Sequence, residues 1–414
     1  MPRAARGAGT AEDLEVRTPR AAGEGVERVR AQFLPFSEPL LGEEEIDSVV
    51  GCLRSGWLTS GVRTQEFERD FAAYLGARHA LAVNSCTAAL HLGLEAVGVG
   101  VGDEVITSPM TFAATAAVIE HLGARPVLAD CDPVSLNLDP ARIVERITPR
   151  TRAIVPVHFA GQPCDMGPIL EIARAHRIAV VEDAAHALPA RYDGKLVGTL
   201  GDITCFSFYA TKTVTTGEGG MVVTDRDDHA DRMRMMRLHG MSRDAWKRYT
   251  QDGSWSYEIL AAGFKYNLTD IAASIGIEQL KRSEAFHARR LAIARAYTQA
   301  LAGVRGLQTP VVADECGHAW HLYVLRVVPE ELRIDRDEFI RRLQGMNIGV
   351  SVHFIPLHLH PFYRDKYGYV PEDFPNAYAA FRRILSLPLY PKMTDGDVND
   401  VIRAVRSLAE TFSR

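Results

Sequence analysis

The sequence predicts an α/β fold: a large domain on a mostly parallel mixed sheet flanked by helices, then a smaller α/β domain at the C-terminus. Short apolar runs alternate with stretches of helical periodicity from about residue 79 to residue 224. A long helical region, about Asp270 to Leu301, separates them from a second set of elements. The chain has 414 residues, 47% of them hydrophobic, enough for two cores.

The elements follow in order. Residues 1–32 are rich in Ala, Arg, Gly and Glu and nearly free of large apolar side chains, so they read as a disordered tail. From Glu43, Ile46, Val49, Val50 and Leu53 fall at helical spacing up to Gly56, and Phe67, Phe71 and Leu75 repeat the pattern up to Gly76. Two amphipathic helices are expected there. Strand-like runs follow at His79–Val83, Glu104–Thr107, Pro126–Leu128, Ala153–Val157, Ile178–Val181, Ile203–Phe208 and Met221–Thr224. Past a domain boundary near residue 290, His321–Val327 and Gly349–His353 read as strands and Asp335–Leu343 and Asp397–Leu408 as helices. The domains are thus 33–290 and 291–414.

Composition excludes several classes. A net charge of −5 gives no basic surplus for nucleic acid. No apolar run approaches the ~20 residues of a membrane span, and no signal-peptide core opens the chain, so a cytoplasmic protein is expected. The six cysteines have no chelating spacing. His353, His358 and His360 lack an acidic partner at ligand spacing, so no metal site is expected.

Sheets of this kind place ligands beyond the carboxyl ends of their strands, and three segments stand there. Asn84-Ser85-Cys86-Thr87-Ala88-Ala89-Leu90 follows a strand and opens a helix; it is a phosphate cradle or a plain N-cap. Glu182-Asp183-Ala184-Ala185-His186 ends another strand. Its carboxylate could pair with the protonated ring nitrogen of pyridoxal, or Asp183 could cap a helix and His186 be a packed histidine. Ser207-Phe208-Tyr209-Ala210-Thr211-Lys212 follows a third, beside Gly217-Glu218-Gly219-Gly220. Desolvation there would lower a lysine pKa and supply the neutral amine that imine formation needs. The glycine-rich stretches run into strands rather than opening helices, against a nucleotide-binding loop.

These segments, with Ser55-Gly56-Trp57-Leu58-Thr59-Ser60-Gly61, Gly102–Ile106, Tyr266-Asn267-Leu268-Thr269-Asp270 and His353-Phe354-Ile355-Pro356-Leu357-His358, resemble in order and separation the DegT/StrS family of nucleotide-sugar aminotransferases. The resemblance runs from about Phe33 to near the C-terminus. It implies the aspartate-aminotransferase fold (fold type I) and pyridoxal 5'-phosphate (PLP) as cofactor. Lys212 then corresponds to the Schiff-base lysine and proton carrier, Asp183 to the partner of the pyridine nitrogen, His186 to the group near the phenolic oxygen and Phe112 to the ring stacked on the cofactor. Thr87, the Ala88 amide and Ser207 correspond to the phosphate ligands, with Cys86 where many relatives carry Gly or Ala.

Asn267 resembles the residue that the neighbouring subunit adds to the phosphate, which implies a homodimer with composite sites. Trp57, Thr59, His353 and His358 correspond to the sugar pocket. The implied reaction moves an amino group from an amino acid, L-glutamate foremost, to a nucleotide-linked keto-sugar. Arg237–Met241 and Gly263–Asn267 are most similar to members acting at C4 of 4-keto sugars. A 3-keto-sugar or keto-cyclitol enzyme is the nearest alternative and a non-catalytic PLP-binding regulator a remote one; a dehydratase would replace Lys212 with His.

Overall fold

The computed structural model describes residues 28–242 and 257–414. Of the expected tail, residues 1–27 lie outside the described residues. The chain is tied down from Arg30, which pairs with Asp397 at 2.6 Å and Asp400 at 2.9 Å, so contacts with the fold begin before Phe33.

Among the described residues, nine strands occupy the first part: β1 (His79–Val83), β2 (Glu104–Thr107), β3 (Arg125–Leu128), β4 (Thr151–Val155), β5 (Ala179–Asp183), β6 (Arg191–Tyr192), β7 (Lys195–Leu196), β8 (Ile203–Ser207) and β9 (Gly220–Thr224). Seven form one sheet in the order β1-β9-β8-β5-β4-β2-β3. From β8 to β3 every pairing is parallel, whereas β9 is antiparallel to both neighbours. Central strands are buried on both faces, which is why they read as near-continuous apolar runs. Six expected boundaries shift little or not at all; the run placed at Ala153–Val157 begins at Thr151 and leaves its last two residues to the loop.

The helices of this part are α1 (Glu43–Ser55), α2 (Val62–Leu75), α3 (Cys86–Ala96), α4 (Ala113–His121), α5 (Pro140–Val144), α6 (Met166–His176), α7 (Asp227–Met236), α8 (Asp270–Lys281) and α9 (Ser283–Leu301). α2 buries Phe67, Phe71 and Leu75 as its periodicity predicts. α1 does not bury its apolar stripe: Ile46 is 52% and Leu53 51% exposed. Its inner face carries Cys52 and Glu45, whose carboxylate takes Gln279 Nε2 at 2.7 Å and Arg282 at 3.0 Å. A polar anchor on α8 has overridden the amphipathic pattern. The helical region expected over Asp270–Leu301 is two helices, broken at Arg282.

The C-terminal part contains β10 (Leu307–Gln308), β11 (Cys316–Gly317), β12 (Tyr323–Val327), α10 (Arg336–Gly345), α11 (Pro361–Tyr367), α12 (Pro375–Phe381), β13 (Ile384–Leu387) and α13 (Asp395–Thr411). β10, β12 and β13 form a small antiparallel sheet. Ile293, Ala294, Tyr297 and Leu301 of α9 join its core, whereas Ile277 and Leu280 of α8 pack with the large sheet. The strand expected at Gly349–His353 does not form. Gly349 N donates instead to Leu34 O, and Ser351 alone bridges to Ser386, so two different partners divide the segment.

Candidate active site

The carboxyl ends of β5 and β8, the start of α3 and the segment entering α4 surround a cavity of about 650 Å³. It is lined by Cys86, Thr87, Phe112, Asp183, His186, Ser207, Lys212 and His353, all singled out from sequence. Asp183 is the last residue of β5, and the backbone turn after β8, with Lys212 N donating to Tyr209 O at 2.9 Å, carries the lysine to the same space.

α3 is capped by Ser85, whose hydroxyl accepts from Ala88 N at 3.1 Å. The Ala88 amide expected for a phosphate is therefore already engaged in the cap. The first-turn amides of Cys86 and Thr87 have no intrahelical partner, and both residues line the cavity. β9 begins against this turn: a Cβ on Gly220 would lie 2.6 Å from Ser85 C and 2.7 Å from Cys86 N. Only glycine allows the two backbones to approach so closely.

Burial sets the electrostatics. The Lys212 amine is drawn down to about 8, chiefly by desolvation and also by the Arg290 charge, against opposing attraction from the Asp183 carboxylate. Asp183 is raised by burial, though Thr115 Oγ1 at 2.8 Å, Ala185 N at 3.1 Å and the Lys212 charge oppose the rise. Burial lowers His186 well below the usual histidine range and His353 to about 4, which leaves neutral rings around the amine. The Cys86 thiol is pushed up by burial and stays protonated. Behind β5, Cys164 N donates to His158 Nδ1 at 3.0 Å, which leaves the ring proton on Nε2 facing Glu182 at 2.9 Å.

Other expected residues stand elsewhere. Trp57 and Thr59 lie in the turn between α1 and α2, where Trp57 Nε1 donates to Ser60 O at 3.2 Å and Thr59 O accepts from Asp270 N at 3.2 Å. Asn267 borders a second cavity of about 500 Å³, and its amide donates to Ser60 Oγ at 2.7 Å. Neither Trp57, Thr59 nor Asn267 reaches the Lys212 cavity of its own chain. His358, expected to line the sugar pocket, is fully buried against Phe374 at 4.8 Å between ring centroids. The short helical turn Leu357–Leu359 directs it into the core instead.

Several participants were missed. Thr111 and Thr115 stand one helical turn apart, so their hydroxyls meet at 2.7 Å and the second reaches Asp183. That spacing was readable. Phe36 and His321 also line the cavity, but they arrive from distant parts of the chain with no local signature; Phe354 comes in with the His353–His358 segment.

The profile of the DegT/DnrJ/EryC1/StrS aminotransferase family matches residues 39–406. The chain belongs to this family. It is 53% identical over 382 residues to the spore coat polysaccharide biosynthesis protein SpsC of Bacillus subtilis, covering 92% of this chain and 98% of that one. The PLP form of Spr1654 from Streptococcus pneumoniae, a candidate sugar aminotransferase, superposes with a TM-score of 0.86 at 35% identity, over 92% of this chain and 99% of the other. DesI, solved in the presence of its TDP-sugar product, superposes with a TM-score of 0.82 at 31% identity, over 92% and 94%.

The protein is accordingly a PLP-dependent sugar aminotransferase of fold type I. The cavity fits that cofactor: it offers a low-pKa amine, a buried carboxylate without a cationic hydrogen-bond partner, and a helix start for the phosphate. No helix among the described residues is long and apolar enough to cross a membrane.

Proposed function

We propose that the enzyme transfers an amino group from L-glutamate to C4 of a nucleotide-linked 4-keto sugar. The observation that carries the catalytic part is the Lys212 amine, drawn down to about 8, sharing one cavity with the buried Asp183 carboxylate. When bound, PLP supplies an aldehyde for imine formation and a ring that accepts electrons. Lys212 Nζ would hold the aldehyde end of the cofactor and, as a free amine, would move the proton at the donor Cα. Asp183 would face the pyridine nitrogen and favour its protonated form. The Cys86 and Thr87 amides and the Thr87 and Ser207 hydroxyls would take the phosphate, Phe112 would stack on the ring, and His186 would stand near its phenolic oxygen.

Sugar specificity is supported by the TDP-sugar product of DesI, by the polysaccharide role of SpsC, and by the resemblance of Arg237–Met241 and Gly263–Asn267 to C4-acting members. We place Trp57, Thr59 and His353 at the sugar. For the first two, and for Asn267 at the phosphate, this requires a two-fold dimer in which each subunit completes its partner's cavity. The exposed apolar residues Leu41, Ile46, Leu53, Leu58 and Val62 support such an interface. We also propose domains of 33–290 and 291–414 and a cytoplasmic location. A panel of 4-keto and 3-keto nucleotide sugars, with the new amine located by NMR, tests the reading. Amination only at C3 would reject it in favour of the 3-keto alternative.

A further inference from the structure

Among the described residues, two arginines keep less than a tenth of their surface exposed, Arg290 and Arg336. Arg336 has a counter-ion, Asp337 Oδ1 at 2.5 Å. Arg290, on α9, is bonded only to carbonyls: its Nη1 donates to Leu389 O at 2.8 Å and to Trp320 O and His321 O at 3.3 Å. No carboxylate among the described residues acts on it, and burial draws it down to about 10, which leaves it cationic at neutral pH. Carbonyls need only a donor, which a neutral amide would supply, so the charge is surplus to that anchoring role.

The charge stands near the lysine of the cofactor cavity. A narrow chamber of about 10 Å³ shares Thr211 and Lys212 with that cavity and is lined by Arg290. Glu38 lines it too, but its carboxylate is taken by Lys392. A chamber so small holds one water at most, so little solvent screens the guanidinium from the amine.

The groups that act on Lys212 are few. Asp183 of β5 attracts its proton, and the Cys86 thiol of α3 is protonated and neutral. His186, His321 and His353 are rings that desolvation keeps neutral. Tyr209 and Glu218 complete the titratable lining and are exposed. Desolvation is the largest influence against a charged amine, and among the described residues Arg290 is the one permanent cation that adds to it.

We infer, on the proposed reading of Lys212 as the amine that takes PLP, that the Arg290 guanidinium, buried without a counter-ion across this chamber, opposes a second positive charge on Nζ and so delivers the lysine to the cofactor as a free amine. Arg290 does not line the cofactor cavity and is a positioning residue that acts through Lys212.

The test is pulse labelling of the full cofactor-free chain with acetic anhydride across pH, read at Lys212 by peptide mass spectrometry with the exposed Lys195 as reference. Arg290→Gln keeps donors and deletes the charge, Arg290→Met is a second neutral variant in case the first does not fold, and Arg290→Lys keeps the charge. The neutral variants should raise the labelling midpoint of Lys212 by on the order of half a pH unit, about threefold less labelling at pH 7, while Arg290→Lys holds the wild-type midpoint. A structural role alone would lower thermal stability in all three without separating charged from neutral. An unchanged midpoint in a folded neutral variant, or the same rise in Arg290→Lys, overturns the inference. So does a wild-type midpoint that climbs when salt is raised to ~0.5 M, because salt screens surface charges and spares a buried one. The labelling needs no cofactor, so a wild-type chain that captures no PLP at Lys212 at any pH overturns the reading of that lysine instead, and the two failures are told apart.

Discussion

Thr115 Oγ1 donates to Asp183 Oδ2 at 2.8 Å, from one turn inside α4 to the last residue of β5. The bond joins the segment carrying Phe112 to the carboxylate proposed for the pyridine nitrogen. Thr115→Val keeps the shape and deletes the donor, so Asp183 loses a bond that favours its charged form and its pKa rises further. Because the folded value already stands above the unfolded one, the cofactor-free protein should lose stability as pH rises through that interval. The variant should widen the interval, as thermal unfolding across pH would show, and lower turnover roughly tenfold. Asp183→Ala should cost ~10²-fold or more in turnover even with cofactor bound.

The Lys212 amine, held near 8, is mostly protonated below that value and free above it. The rate of cofactor capture, followed by stopped-flow absorbance, should climb as pH rises through about 8 and level off beyond it. Capture that rises only near the ordinary lysine value would show the amine to be solvated. Lys212→Ala should give neither the absorbance band nor turnover.

Asn267 is bonded to Ser60 and lies outside its own chain's Lys212 cavity. Asn267→Ala should weaken cofactor retention. If the residue serves the partner, mixed dimers of Asn267→Ala and Lys212→Ala subunits should regain one working site per dimer. No recovery after subunit exchange would reject the composite site.

Gly220→Ala would drive a methyl group to 2.6 Å from Ser85 C. The expected cost is about 1–3 kcal/mol of stability, read by denaturant unfolding, together with a weaker PLP dissociation constant as the α3 cradle moves. Wild-type affinity in a folded variant would detach β9 from the phosphate site.

The sequence by itself determined the alternation of elements, the strands of the central sheet and the segments at their carboxyl ends, including Asp183 and Lys212. Such information is local: period, apolar runs and glycine placement act over a few residues. Tertiary structure alone decided which face of α1 meets water, because Glu45 answers to Gln279 and Arg282, more than two hundred residues away. It also turned His358 into the core and brought His321 to His186, with Arg290 bridging to Leu389 across the small domain. Those outcomes depend on desolvation and on hydrogen bonds between distant segments, and no local pattern records which distant groups will meet.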